Sequence, residues 1–395
     1  MFPAKNGDSF LIREAPSPHA GTVLVDGGFD STYRAFIAPQ LEALREQGVG
    51  LDLVIVTHMD ADHISGILSL LKANGPKSSA HVIKVDHVWH NSLRAITSPQ
   101  HASPTTATDQ AILSVIRARG YHHGVSSSSA HEISGRQGSS LAALLHGGNY
   151  RWNGSDGSAS ITMDTEALAI GQSMQVHILG PTAERLQALR ASWIRELRRI
   201  GVLGAVTQDA YFDDAFEFMT AAANQDETPR ATEIAHRGYD HRTLAEAYDP
   251  DPSPNNGSSI SVFIETPAAR MLFLGDAWAD DTVAALERRT TSGEMTIFDA
   301  IKLSHHGSRR NTSPRLLELM DAPVYLISSD GGKHGHPDLP VLRAIVDRPS
   351  TFVRHLYFNY ATAASTALRA HQSTSGAQFV VHENFNDWIT VGKST

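Results

Sequence analysis

The chain has 395 residues, 41% hydrophobic and 19% charged, a balance that supports a large folded core. Its net charge of −9 excludes a wholly basic nucleic-acid-binding domain, and the absence of cysteine excludes thiolate metal sites, disulfides and a thiol nucleophile. The length suits one large domain with insertions, or two domains.

The opening "MFPAKNGDSFLIREA" holds no apolar core of signal-peptide length. No stretch approaches the roughly 20 apolar residues of a membrane span. A cytoplasmic protein without membrane contact is expected. "SFLIRE" and "GTVLVDGG" predict a strand pair. "STYRAFIAPQLEALREQG" predicts a helix with Tyr33, Phe36, Ile37, Leu41 and Leu44 on one face.

"LDLVIVT" (Leu51–Thr57) is an apolar, β-branched run and predicts a strand buried on both faces. "HISGILSLLKANG" (His63–Gly75) predicts the next helix, stopped by Gly75 and Pro76. The turn between them carries His58, Asp60, Asp62 and His63. Imidazole nitrogens and carboxylate oxygens suit zinc, iron or manganese. His58 and Asp60 can share one ion, with Asp62 and His63 reaching a second. Two ions a few ångströms apart clamp the attacking and leaving oxygens of a hydrolysis. A helix cap at Asp62 would need one acidic residue, not four ligands.

"KVDHVWH" predicts another strand, whose His87 and His90 are placed toward a cleft. Residues 97–172 turn Ser- and Gly-rich ("SSSSA", "GRQGSS", "HGGNYRWNGSDGSAS"), predicting loops with one helix at "TDQAILSVIRARG". His122, His123, His146 and His177 are expected to be structural or on the surface. "SMQVHILGP" returns to strand character. "AERLQALRASWIRELRRIG" predicts an amphipathic helix with Leu186, Leu189, Trp193, Ile194, Leu197 and Ile200 on one face. Its Arg185, Arg190, Arg195, Arg198 and Arg199 lie mostly off that face, as a solvated surface or as a basic rim for a phosphate backbone. Residues 182–256 read as an insertion, partly a flexible cover.

From Ser258 the α/β rhythm resumes. "SISVFIET" and "RMLFLGD" predict a hairpin-like strand pair that delivers Asp276, whose two oxygens can each take an ion. "IKLSHHGSRRNTS" predicts a strand ending in His305 and His306. One of the two completes the second metal site; the other holds a phosphate or donates a proton. Lys302, Arg309 and Arg310 add positive charge, beside Ser308. "SSDGGKHGHP" brings Lys333, His334 and His336 on a third turn whose glycines admit close backbone approach. His336 is assigned a substrate-side or proton-donating role.

Taken in order, "THMDADH", "NNGSS", "LGD", "SHHGS" and "HGHP" resemble the metallo-β-lactamase superfamily. The more detailed resemblance is to the hydrolase domain of the competence-type DNA-uptake protein ComEC and its soluble relatives. It covers roughly residues 8–92 and 173–340. The resemblance implies an α/β fold: an αββα metallo-β-lactamase sandwich, here with a large helical and loop insertion. Residues 1–96 and 173–395 would form the two halves of the core, 97–172 a Ser/Gly-rich insertion, and 182–256 a helical insertion or lid.

The resemblance also implies one or two divalent ions, zinc first, with manganese or magnesium as alternatives, held by His58, Asp60, Asp62, His63, Asp276, His305 and Asn256. Asp276 would be the bridging ligand and a metal-bound hydroxide the nucleophile. Catalytic roles are assigned to Asp62, His306, His336 and Lys302, and substrate contacts to Ser308, Arg309, Lys333 and His90. The expected activity is a phosphodiesterase or nuclease acting on DNA. Small-molecule esters, lactones or nucleotide signals are alternative substrates, and a binding module with a degenerate metal site is a third reading. "NNGSS" stands where the superfamily has a further histidine, and asparagine favours harder ions. The sequence offers no membrane channel, so a transport role is not expected. The 97–256 insertions are assigned to a partner protein or a homo-oligomer contact.

Overall fold

The structure is a computed structural model that describes residues 1–14, 20–97, 106–119, 140–208, 210–223, 240, 242–289 and 295–392. His122, His123, "SSSSA" and residues 135–139 of "GRQGSS" lie outside the described residues.

Two sheets face each other. The smaller holds β1 (Phe10–Arg13), β2 (Thr22–Val25), β3 (Leu51–Ile55) and β4 (Val85–Trp89), in that order. β1 and β2 pair antiparallel as expected, and β2, β3 and β4 run parallel. The larger sheet has eight strands. It contains β5 (Leu168–Ile170), β6 (Met174–Gly180), β7 (Ser261–Glu265), β8 (Arg270–Phe273), β10 (Ala300–Lys302), β12 (Val324–Ile327), β13 (Arg354–Phe358) and β14 (Phe379–His382). Its order is β14-β13-β12-β10-β8-β7-β6-β5. Two short strands, β9 (Thr296–Ile297) and β11 (Met320–Asp321), pair separately.

Three apolar layers follow from the period-2 alternation of strands. Leu53 and Ile55 point between the sheets, against Val176, Val262, Ile264 and Phe273. Val54 and Val56 point outward, against Ile37, Leu41, Ile64, Ile67 and Leu71 of the helices. This is why "LDLVIVT" carries no polar face. On the far side Leu272, Ile301, Tyr325, Ile327 and Leu356 pack beneath Leu286, Leu316, Leu342 and Ile345. Helix, sheet, sheet, helix is thus the layering, and each large side chain buried this way stabilises it by about 1.5–3 kcal/mol.

The helical stretch Asp30–Thr32, Tyr33–Ile37, Ala38–Glu46 contains a π-type turn at Tyr33–Ile37. The wider turn shifts the helical phase. Phe36, expected on the buried face, is therefore 37% exposed, while Tyr33, Ile37, Leu41 and Leu44 are buried.

The described helices of the middle region join the outer layer of the smaller sheet. Leu141 and Leu145 of helix Leu141–Gly147, Leu186, Trp193 and Leu197 of helix Ala183–Arg199, and Phe212 and Phe216 of helix Ala210–Ala223 share one apolar cluster with Ile64 and Leu71. Ile200, expected on the apolar face of its helix, is 37% exposed beyond the helix end. β5, from the stretch read as Ser/Gly-rich insertion, forms an edge of the larger sheet. The C-terminal segment, which the family motifs did not reach, adds β13 and β14 at the other edge. No helix among the described residues is long and apolar enough to cross a membrane.

Candidate metal centre

Each candidate ligand stands where a strand ends. β3 runs into Val56–Thr57–His58, and the next helix, Ala61–Asn74, begins after Asp60, placing His63 on its first turn. That helix lies hard against the turn after β2: a Cβ on Gly66 would overlap the Gly27 carbonyl oxygen. β8 leads through Gly275 to Asp276. Gly275 has φ +53, and a Cβ there would sit 3.0 Å from Thr57 Cβ, so the two strand ends approach only across a glycine. After β10, His305 and His306 take φ of 46° and 56°. Two successive non-glycine residues in the left-handed region carry strain of about 1–2 kcal/mol each, which the surrounding contacts must offset.

The four imidazoles converge on one carboxylate oxygen. Nε2 of His58, His63, His305 and His306 lies 3.7, 3.6, 3.7 and 3.8 Å from Asp276 Oδ2. The opposite ring nitrogens face outward to fixed partners. His63 Nδ1 donates to Asp26 Oδ2 at 2.8 Å. Thr57 Oγ1 donates to the same Asp26 oxygen at 2.7 Å, so it accepts from His58 Nδ1 at 3.1 Å. His305 Nδ1 meets Asn311 Oδ1 at 2.8 Å, and His306 Nδ1 faces Asp8 Oδ1 at 3.2 Å. In His58, His63 and His305 the Nδ1 side is thereby engaged by an acceptor and Nε2 is turned inward, the arrangement in which outer partners orient metal ligands.

His58 Nε2, His63 Nε2 and Asp276 Oδ1 are buried and make no hydrogen bond. Buried polar atoms without partners are rare; a cation beside Asp276 Oδ2 would satisfy both imidazole nitrogens, while Oδ1 faces Lys302 Nζ at 3.8 Å. Among the described residues, three candidate ligand groupings have donor atoms within 4.8 Å of one another: His58–His63–Asp276, Asp62–His63–His306 and Asp8–Asp26–His63. The first two fit one or two divalent ions. In the third, Asp26 is engaged by His63 Nδ1 and Asp8 by Lys302 and His306, so it supports the ligands from behind. Asp60 Oδ2 lies 3.4 Å from His58 Nε2.

Charge follows from this geometry. Burial alone would push Asp276 up, but His305, His63, His306 and His58 hold its carboxyl well below the usual range. Burial pulls His63 down, yet Asp276 and Asp26 outweigh it and raise the imidazole well above its ordinary value. His58 is also raised: burial and His63 pull it down, and Asp60 and Asp276 prevail.

The structure brings together His58, Asp60, Asp62, His63, Asp276, His305 and His306, with Asn256 beside His305 at 3.5 Å. His336 stands at the rim, its ring centroid 5.1 Å from that of His305 and its Nδ1 3.2 Å from Asp338 Oδ2. Lys333 is exposed on the same loop.

Other assignments need correction. Lys302 is 2% exposed, paired with Asp8 and donating to Gly275 O at 2.9 Å. A buried ammonium requires such a partner, so Lys302 is an internal counter-charge and does not meet substrate. Ser308 is fully buried, and its Oγ accepts from Arg310 N at 3.2 Å. Arg309 binds Ala247 O through Nη1 at 2.5 Å and Asp338 through its backbone N–H at 2.8 Å. Arg310 pairs with Asp249 at 3.2 Å. His90 is closed off from solvent, 3.2 Å from Glu217 and stacked on Trp152. His87 is turned to Arg151, 3.4 Å away.

The sequence reading missed Asp8, Asp26, Thr57, Asp251 and Asn311. Asp26 had a usable signal, since "TVLVDGG" is another apolar strand ending in an acid. Asp8 and Asn311 sit in ordinary-looking turns, and only the fold shows that they face histidines.

Residues 3–141 match the family model of the metallo-β-lactamase superfamily. The chain is also similar to ComE operon protein 3 of Bacillus subtilis (strain 168), 26% identical over 102 residues. That alignment covers 24% of this chain and only 12% of the relative's length. Strand-end ligands, the match over residues 3–141 and the helix–sheet–sheet–helix layering agree: the fold is the αββα sandwich of the metallo-β-lactamase superfamily, extended by helical insertions.

Proposed function

We propose that this protein is a metal-dependent phosphodiesterase, with DNA as the substrate class to test first. The observation that carries the reading is the convergence of four Nε2 atoms on Asp276. His58, Asp60, Asp62, His63, Asp276 and one or both of His305 and His306 would hold the ions. A bound divalent ion supplies Lewis acidity and brings the pKa of a water toward 7.

The chain's own residues do the rest. Asp26, Thr57, Asn311 and Asp8 keep the imidazoles oriented. The strained turn at His305 and His306 holds both rings against Asp276. His336, partly exposed at the rim and paired with Asp338, is placed to donate a proton to a leaving oxygen. The exposed Lys333 puts a positive charge on the rim, suited to an anionic ester; His334 beside it, pulled down to about 3 by burial and by His336 and Lys333, is a neutral hydrogen-bonding group. The resemblance to ComEC-type hydrolase domains points the same way. A rim of this chemistry favours a phosphodiester over an apolar lactone.

The test is hydrolysis of bis-p-nitrophenyl phosphate and of fluorescent single- and double-stranded DNA, with added manganese or zinc, beside Asp276→Ala. Metal-dependent turnover lost in the variant supports the reading. Bound metal without cleavage of any phosphodiester overturns it in favour of another ester class.

A further inference from the structure

The segment from Ala247 to Ser253 is strapped across the second histidine turn. Arg309 Nη1 donates to Ala247 O, Arg310 pairs with Asp249, and Asp251 N donates to Arg310 O at 3.2 Å. Trp278 Nε1 fastens the far end by donating to Ser253 O at 3.0 Å. This part of the 182–256 insertion, read as partly a flexible cover, is therefore tied into the centre. Its one carboxylate facing inward is Asp251, 9% exposed.

Asp251 Oδ1 accepts from Ser253 N at 2.9 Å. Its Oδ2 accepts from two side-chain amides, Asn256 Nδ2 at 2.7 Å and Asn311 Nδ2 at 2.9 Å. A carboxylate can only accept, so each amide must turn its NH2 toward Asp251. Asn311 Nδ2 also donates to the Asp276 backbone carbonyl at 3.0 Å, so Asp251 and that carbonyl together decide where the Asn311 oxygen goes, while Asp251 turns Asn256. Asn311 Oδ1 is left facing His305 Nδ1 at 2.8 Å, which places the proton on Nδ1 and leaves Nε2 with a lone pair 3.7 Å from Asp276 Oδ2. Asn256 Oδ1 is left buried and without a hydrogen bond.

We propose that Asp251 is a positioning residue of the metal centre. Through Asn311, which it holds together with the Asp276 carbonyl, it biases the tautomer of His305, and through Asn256 it frees an amide oxygen, so that this side of the centre offers one nitrogen and one hard oxygen donor to a divalent ion. The proposal rests on the metal-centre reading above. It also gives "NNGSS" a use: an oriented oxygen stands in for a nitrogen ligand, with manganese as the favoured ion.

The experiment is calorimetric titration of the metal-stripped full chain with Mn2+ and, separately, Zn2+, for wild type, Asp251→Ala, Asp251→Asn and His58→Ala. Outer-shell substitutions weaken metal binding about 10–100-fold. Asp251→Ala should therefore weaken one equivalent of Mn2+ by that factor, and weaken Zn2+ less. Asp251→Asn, which keeps an oxygen toward the two amides, should fall between it and wild type. Selective 15N labelling of histidine should show the His305 proton on Nδ1 in wild type and a reduced Nδ1–H population in Asp251→Ala, where the Asp276 carbonyl alone still holds the Asn311 amide. Unchanged Mn2+ affinity in both Asp251 variants would overturn the proposal while leaving the centre intact. If Asp251→Ala does not fold, Asp251→Asn decides by the same criterion. Wild type that binds neither metal, like His58→Ala, would overturn the metal reading itself.

Discussion

His63 donates from Nδ1 to Asp26 Oδ2 at 2.8 Å, on a ring that is fully buried and whose Nε2 lies among the ligand atoms. The same carboxylate accepts from Thr57 N and Thr57 Oγ1, so one buried acid orients both His63 and, through Thr57, His58.

Asp26→Ala should therefore act at a distance. It leaves the Thr57 N–H and the His63 proton without their acceptor, costing about 1–3 kcal/mol per group. Metal affinity should fall about 10–100-fold. Denaturant melts of the metal-free variant and metal titration of the folded variant separate the two effects. Wild-type affinity would show that Asp26 orients nothing.

Asp276→Ala removes the carboxylate on which all four imidazoles converge. Hydrolysis should drop about a thousandfold or more, since ions at such sites contribute several kcal/mol to the transition state. Asp62→Ala should behave alike. Circular dichroism should remain that of the wild type. Retained turnover in both variants would place the chemistry elsewhere.

The pH dependence has a definite sign. In metal-free protein His63 is raised by Asp276 and Asp26 against the pull of burial. Its contribution to stability is fully present below the unfolded value of about 6.5 and is lost as pH climbs through the folded value. Asp276 is depressed by the imidazoles, so its contribution is present above the ordinary carboxylate pKa of about 3.9 and is lost as pH falls through its own lower value. Thermal melts of the stripped protein should therefore weaken as pH rises above about 6.5. Binding a divalent ion displaces imidazole protons, so affinity should rise over that same range, with protons released into a weak buffer. Metal affinity that is flat with pH would contradict this.

Lys302 offers a sharp contrast with the ligands. Lys302→Ala strands the Asp8 carboxylate in the interior and should destabilise the fold by about 3–5 kcal/mol. Activity should fall with the folded fraction. A folded, fully stable Lys302→Ala with no turnover would instead restore a direct catalytic role.

Trp193 tests the status of the middle helices. It is 3% exposed and meets the rings of Phe212 and Phe216 edge-on, with centroids at 6.2 and 5.2 Å. Trp193→Ala should cost about 3–5 kcal/mol by urea unfolding in a single transition with the rest of the chain. A separate early transition would mark these helices as an independent cover.

The local chemistry of this protein was readable from its sequence. Apolar strands ending in "THMDADH", "LGDAW" and "LSHHGS" announced both the buried sheets and the candidate ligands at their ends, because alternation and strand length are encoded within a few residues. The ordered motifs also implied the four-layer fold. Which side of each side chain faces the site was decided only by long-range packing. Lys302 and Ser308 lie among the motif residues yet point inward, since residues of one turn diverge by the backbone angles that neighbouring strands impose. His90 ends a strand like His58 does, but the helix carrying Glu217 covers it. Asp8, Asp26, Asp251 and Asn311 come from four separate segments, and apart from Asp26 at a strand end nothing local distinguishes them from turn residues. They become outer ligand supports only when the two sheets and the 247–253 strap bring their acceptors to the buried histidines, where an unpaired polar atom costs too much free energy to be left without a partner.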